Sequence, residues 1–233
     1  MLGTAIIAVG LVLMQAQDYR AAMRAYDEAL SRLTSYASGA SLEEVYARAV
    51  RLSDALTSGT TLESMSASEF EALRTKSPGF ILNREEVLIA EPRAPYFLDL
   101  AQKFGGPVDR AFFAVLDHIR PDGVWPIYID QQTDYSGCTR FGRGALVDSY
   151  RRWREFKSQF PRAYVPFVAR GLAEVEEHVM HSTCACGDEE ETARELDDFA
   201  AAFADSPAYA AAISRSRAIH NQRSAIRFKC VSG

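Results

Sequence analysis

The side chains best suited to chemistry crowd into His178-x-x-His181-x-x-Cys184-x-Cys186. Two imidazoles about one helical turn apart, followed closely by two thiols, are the donor types that close a tetrahedral zinc site. The spacing departs from the common zinc patterns, because the cysteines are separated by a single residue and a disulfide would consume both thiolates. Histidines in the last turn of a helix are also favoured by the negative end of the helix dipole, which needs no metal. On a helical wheel His178 borders the apolar stripe, and His181 lies about 60° further toward solvent. The cluster therefore reads first as a disulfide junction with no cofactor, and zinc through His178, His181, Cys184 and Cys186 is a secondary alternative.

Four cysteines, Cys138, Cys184, Cys186 and Cys230, are an even number and suit two disulfides in an exported protein. A bond within Cys184-Ala185-Cys186 would close a strained ring, so Cys138 and Cys230 are each expected to take one of the pair. Either bridge closes a loop of about 45 residues, for which chain entropy gives an upper estimate of about 4 kcal/mol. Cys138 as a nucleophile would need a histidine base from elsewhere, such as His118 or His220, and nothing in the sequence brings one to it.

The second place where chemistry is conceivable is the polar loop from Gln131 to Arg143. Asp134, Tyr135, Arg140 and Arg143 are the candidate binding residues there, since loops on a rigid scaffold carry function more often than cores do. The plainer alternative has Asp134 and Ser136 satisfying backbone groups in a turn while the arginines pair with the acidic stretch after Gly187. No G-x-S-x-G, H-E-x-x-H, S-x-x-K, P-loop or G-x-G-x-x-G pattern occurs, so no catalytic residue is assigned.

The elements that must carry these groups are mostly helices. Tyr19, Met23, Tyr26, Leu30 and Leu33 recur at three- and four-residue spacing, and so do Val45, Ala49, Leu52 and Leu56 behind the capping box Ser41 to Glu44. Ser66 to Glu69 repeats the capping box, and Ser77-Pro78-Gly79 stops its helix. Pro95 to Phe104 and Pro107 to Arg120 read as two further helices. The strongest patterns come next: Leu146, Tyr150, Trp153, Phe156 and Phe160, then Tyr164, Val168, Leu172, Val175 and Val179, a pair expected to centre the core. Asp188 with three glutamates starts another helix, because first-turn carboxylates oppose the positive end of its dipole. One more runs from Ser206-Pro207 to about His220. Gly123 to Asp130 and Ser224 to Cys230 read as short strands, and the apolar runs 80–82 and 87–89 as a short strand or irregular packing. The fold class is mainly α: a single-domain multi-helix array over 17–233, with a minor β element and two disulfides.

Residues 1–16 form an uncharged apolar run of about a dozen residues before Asp18, too short for a membrane span and suited to a signal peptide. The alternative is a buried first helix continuing past Asp18. A net charge of −5 argues against a nucleic-acid binder. Charge is segregated: residues 140–170 hold eight Arg or Lys against two acids, and 171–200 hold ten acids against one Arg. Export, disulfides, segregated charge and the missing catalytic signature lead to a periplasmic or secreted binding protein, an inhibitor or immunity-type partner of another exported protein. The alternative is an exported, hydrolase-like enzyme using the loop from Gln131 to Arg143 with His118 or His220.

Overall fold

A computed structural model describes residues 4–85, 87–133 and 136–230, and the chain divides into two compact units. The first comprises Met1–Asp117 with Asp122–Val124, and the second His118–Pro121 with Trp125–Gly233. Ten helices and two short antiparallel hairpins make up the described residues, so the fold is mainly α with a minor β element.

In the first unit, α1 (Thr4–Thr34) is unbroken, so the apolar stretch at its start and the patterned turns after Asp18 share one helix. No helix among the described residues is long and apolar enough to cross a membrane. Tyr19, Tyr26 and Leu33 of the expected face are buried, and the Tyr26 hydroxyl donates to the Pro78 carbonyl at 2.6 Å. The Ser41 hydroxyl accepts from the Glu44 N–H and starts α2 (Leu42–Thr57), whose Val45, Ala49, Leu52 and Leu56 are all buried. A single turn, α3 (Thr61–Ser64), precedes α4 (Ala67–Lys76), which begins with the full reciprocal capping box of Ser66 and Glu69.

The ambiguous segment after Pro78 is a hairpin in which β1 (Phe80–Asn83) pairs antiparallel with β2 (Ile89–Pro92). Gly79, with φ +81°, turns the chain into it, and a β-carbon there would stand 2.1 Å from the Tyr96 ring. Helices α5 (Ala94–Phe104) and α6 (Pro107–Ile119) complete the unit. Tyr46 of α2 meets Phe97, Phe112 and Phe113 edge-on at 5.2–5.6 Å, the geometry that aromatic quadrupoles favour.

In the second unit the minor β element lies elsewhere than the strand propensities indicated. Gly123–Asp130 is a strand only at its end: β3 (Ile129–Thr133) pairs with β4 (Ser136–Thr139) across a bulge. Pro126 has no N–H to offer a ladder, and the flanking backbone bonds are those of a loop, with Ile127 N–H donating to Ile119 and Ile129 N–H to Pro126. Nor is Ser224–Cys230 a strand; it holds one isolated bridge, Cys184 to Arg227, and Lys229 at φ 52° breaks the extended run.

The helical pair follows the pattern: α7 (Ala145–Gln159) and α8 (Val165–His181) bury Leu146, Tyr150, Trp153, Phe156, Val168, Val175 and Val179. Gly171 lets them approach, since a β-carbon on it would sit 2.4 Å from the Trp153 indole. Helix α8 starts at Val165 rather than Pro161; the buried Tyr164 precedes it in a left-handed conformation. Helices α9 (Glu189–Ala202) and α10 (Tyr209–His220) close the unit, with Phe199 and Phe203 against the Tyr150 ring.

Candidate binding site at the disulfide junction

The two disulfides join Cys138 to Cys186 and Cys184 to Cys230, with Cα separations of 5.1 and 6.0 Å, inside the range that bridges span without backbone distortion. The backbone brings the four cysteines together. Residues 183–187 run between β4 and the tail after α10. The Thr139 N–H donates to the Cys184 carbonyl, and the Thr139 carbonyl accepts from the Cys186 N–H, both at 2.9 Å. On the opposite edge Ala185 N–H donates to Arg227, and Arg227 N–H to Thr183. These bonds put Ala185 opposite Thr139 and Cys184 opposite Arg227, so both Cys184 and Cys186 lie between β4 and the tail, within reach of Cys138 and Cys230.

With both sulfurs bonded, Cys184 and Cys186 cannot ligate a metal, and no group of three or more metal-binding side chains occurs among the described residues. His178 has structural work instead. Its Nδ1 is 3.3 Å from the Thr139 hydroxyl, which is 2.7 Å from the Ser182 hydroxyl. Burial holds the imidazole below the ordinary histidine range, against the pull of Glu174 and Glu177. A neutral His178 thus ties the end of α8 to β4, while His181 is exposed and 3.9 Å from Glu177.

Asp134 and Tyr135 lie outside the described residues. Arg140 pairs with Asp130 of β3 at 3.2 Å, not with the acidic stretch after Gly187, and Arg143 is exposed. The histidines of the enzyme alternative are engaged with carboxylates: His118 Nε2 is 2.8 Å from Asp148, and His220 is 3.8 Å from Asp197. Burial works to raise the Asp148 carboxyl, yet Arg152 and His118 hold it below the usual carboxylate range. Cys138 is buried and disulfide-bonded, so it is no nucleophile. The charged segments find partners outside each other: Glu174 pairs with Arg120 at 2.8 Å and Arg154 with Asp205 at 2.5 Å.

Two charged residues that the sequence pattern passed over hold the junction in place. Glu195, on α9 and only 2% exposed, accepts from the N–H groups of Gly144 at 3.1 Å and Leu146 at 2.9 Å, satisfying the first turn of α7. Arg215, on α10, does the converse at the far end of α8. Its guanidinium donates to the carbonyls of Val179 and Ser182, and at 3.3 Å to that of His178, which also accepts from the Ser182 N–H. A signal for both was present in the sequence. Glu195 lies in the stripe of Thr192, Leu196 and Phe199, and Arg215 in that of Ala212, Ser216 and Ile219. A charge on a buried helix face implies a partner elsewhere.

Beside Arg215 the unit holds a cavity of about 330 Å³, walled by the end of α8, by α10 and by residues 223–226. No protein-family model, curated protein or solved structure matches the chain.

Proposed function

We propose that this is an exported binding protein, acting in the periplasm or outside the cell as an inhibitor or immunity-type partner of another exported protein. One observation carries the reading: two interleaved disulfides fix β4, the turn after α8 and the tail after α10 as one rigid framework. Disulfides persist in oxidising compartments. Segments locked before an encounter lose little entropy on binding, which favours recognition by preformed loops. The exposed Arg143 and the ion pair of Arg140 with Asp130 flank that framework and supply polar contacts. On this reading residues 1–16 are a signal peptide, and the mature chain begins near residue 17.

Two measurements test it. Protein recovered from its native compartment without reductant should show no reactive thiol, and its first residue should fall near position 17; four reactive thiols on an uncleaved chain would overturn the export assignment. Immobilised oxidised protein should then retain one partner from an extracellular or periplasmic fraction, with affinity that falls as salt rises. Turnover of a small substrate by the protein alone would replace this reading with the enzyme.

A further inference from the structure

The cavity beside Arg215 has a chemical character of its own. Three basic side chains stand on its wall, His181, Arg215 and Arg223, and no aspartate or glutamate does. Ser214 on α10 and Ser224 line it as well, and so does Ser182, whose hydroxyl donates to the Cys184 carbonyl. Met180, Ala218 and Ile226 supply apolar surface.

Arg215 is the informative residue. All three of its bonds go to neutral carbonyls, so its charge is met by a helix end rather than by a carboxylate. Those bonds engage its two terminal nitrogens, and two of the five N–H groups of a guanidinium are left over, the one on Nε and the second on Nη2. Burial pulls its pKa below the ordinary arginine value. A desolvated cation without a counterion is costly, and an anion beside it relieves that cost.

Arg223 is placed with equal economy. The N–H groups of Gln222 and Arg223 return to the carbonyls of Ile219 and Ala218, a Schellman turn that ends α10 and aims Arg223 at the cavity wall. Its side chain is exposed and has no ion pair among the described residues. Opposing groups are few: the ends of α8 and α10 carry partial negative charge, of which Arg215 answers the first, and Glu177 is 3.9 Å from His181.

Two guanidiniums, an imidazole and several hydroxyls around one space are the donors that recognise a tetrahedral oxyanion from more than one side. The volume is at the low end of the ligand-pocket range, about 300–1,000 Å³, which suits a small molecule. We infer that this cavity binds a phosphate or sulfate group, free or carried on a small organic body. The inference stands on the cavity alone and does not need the partner of the whole protein to be identified.

Titration calorimetry on the full-length, oxidised protein tests it with glycerol phosphate, inorganic phosphate, inorganic sulfate and uncharged glycerol. Heat from glycerol phosphate, with none from glycerol, is the expected result. If inorganic phosphate or sulfate competes with equal affinity, the ligand is the free ion; if weaker by about tenfold or more, the organic body contributes. Arg223→Ala should weaken binding at least about tenfold, and Arg223→Lys should restore part of it. Arg217→Ala removes the same charge from α10 away from the cavity and should change affinity less than about twofold. Absence of binding by every oxyanion at about 10 mM, or equal losses in Arg223→Ala and Arg217→Ala, would overturn the assignment.

Discussion

Replacing Glu195 with alanine is the most informative single perturbation of the helical framework. The carboxylate holds two backbone N–H groups of α7 at 2.9 and 3.1 Å in a site only 2% exposed. Bonds to a charged acceptor contribute roughly 1.5–3 kcal/mol each, and donors left buried without a partner carry their own penalty. Against this, the carboxylate is itself desolvated in the folded state. Burial, outweighing the backbone donors around it, holds the Glu195 carboxyl above the usual glutamate value. A net loss of about 2–4 kcal/mol at neutral pH follows for Glu195→Ala, a large share of a typical 5–15 kcal/mol. With a urea slope of about 1–3 kcal/mol per molar, the unfolding midpoint should fall by roughly 1–2 M. The pH dependence has a definite sign. The folded chain holds this proton to higher pH than the unfolded chain does, so the stability it contributes is fully present below the unfolded value and is lost as pH rises through the folded one. The gap between parent and Glu195→Ala should therefore widen as pH falls from neutral toward the ordinary glutamate range, about 4.3. A loss below about 1 kcal/mol would refute the claim that this carboxylate completes α7 from outside it, and a gap that narrows on acidification would refute the claim that burial outweighs its backbone donors.

Gly171→Ala puts a β-carbon 2.4 Å from the Trp153 indole and should cost about 1–3 kcal/mol by overpacking, read as a lower urea midpoint with unchanged slope. Gln222, at φ 55°, ends α10 in a conformation that suits glycine, so Gln222→Gly should raise stability by about 0.5–1 kcal/mol; a decrease would refute the strain. Replacing Cys138 and Cys186 together by serine, or Cys184 and Cys230 together, should cost about 2–5 kcal/mol each and leave one bridge intact on non-reducing peptide mapping. The expectation of one domain over 17–233 predicts a single calorimetric transition; two transitions would assign separate unfolding to the two units.

What could be read from the sequence was whatever a short window of residues determines. Ser66 with Glu69 and Asp188 with Glu191 are complete capping boxes, because every group in the device lies within four residues. The buried stripes of α7 and α8 follow directly from helical periodicity, and the even cysteine count with a single-residue gap forced the bridges outward from Cys184 and Cys186. The strands at Gly123 and Ser224 failed for the opposite reason. Their β-branched and aromatic residues suit an extended chain, but a strand also needs a neighbour: only the end of the first segment pairs with β4, and the tail meets the turn after α8 at one bridge. Arg140 pairs not with the acidic stretch, which begins 48 residues later, but with Asp130, ten residues earlier across a hairpin. The cavity draws on three segments that no local pattern links. Only the charges in otherwise buried stripes, Glu195 and Arg215, hinted at such long-range partners.

The single-residue gap between Cys184 and Cys186 also sets a fault that the chain must avoid. Thr139 stands opposite Ala185 on one edge and Arg227 opposite Cys184 on the other, so the register alone leaves both cysteines of the gap within reach of Cys138 and Cys230. Side chains of an extended segment repeat every two residues, so Cys184 and Cys186 also share a face. Local pairing therefore discriminates weakly between Cys138 with Cys186 and Cys138 with Cys184. The choice falls to the anchors at either side: Arg215 gripping the end of α8, and the capping box of Asp188 and Glu191 opening α9. The helices thus act as a gauge for the sulfur chemistry, and an oxidation that ran ahead of their docking would be free to form the other isomer.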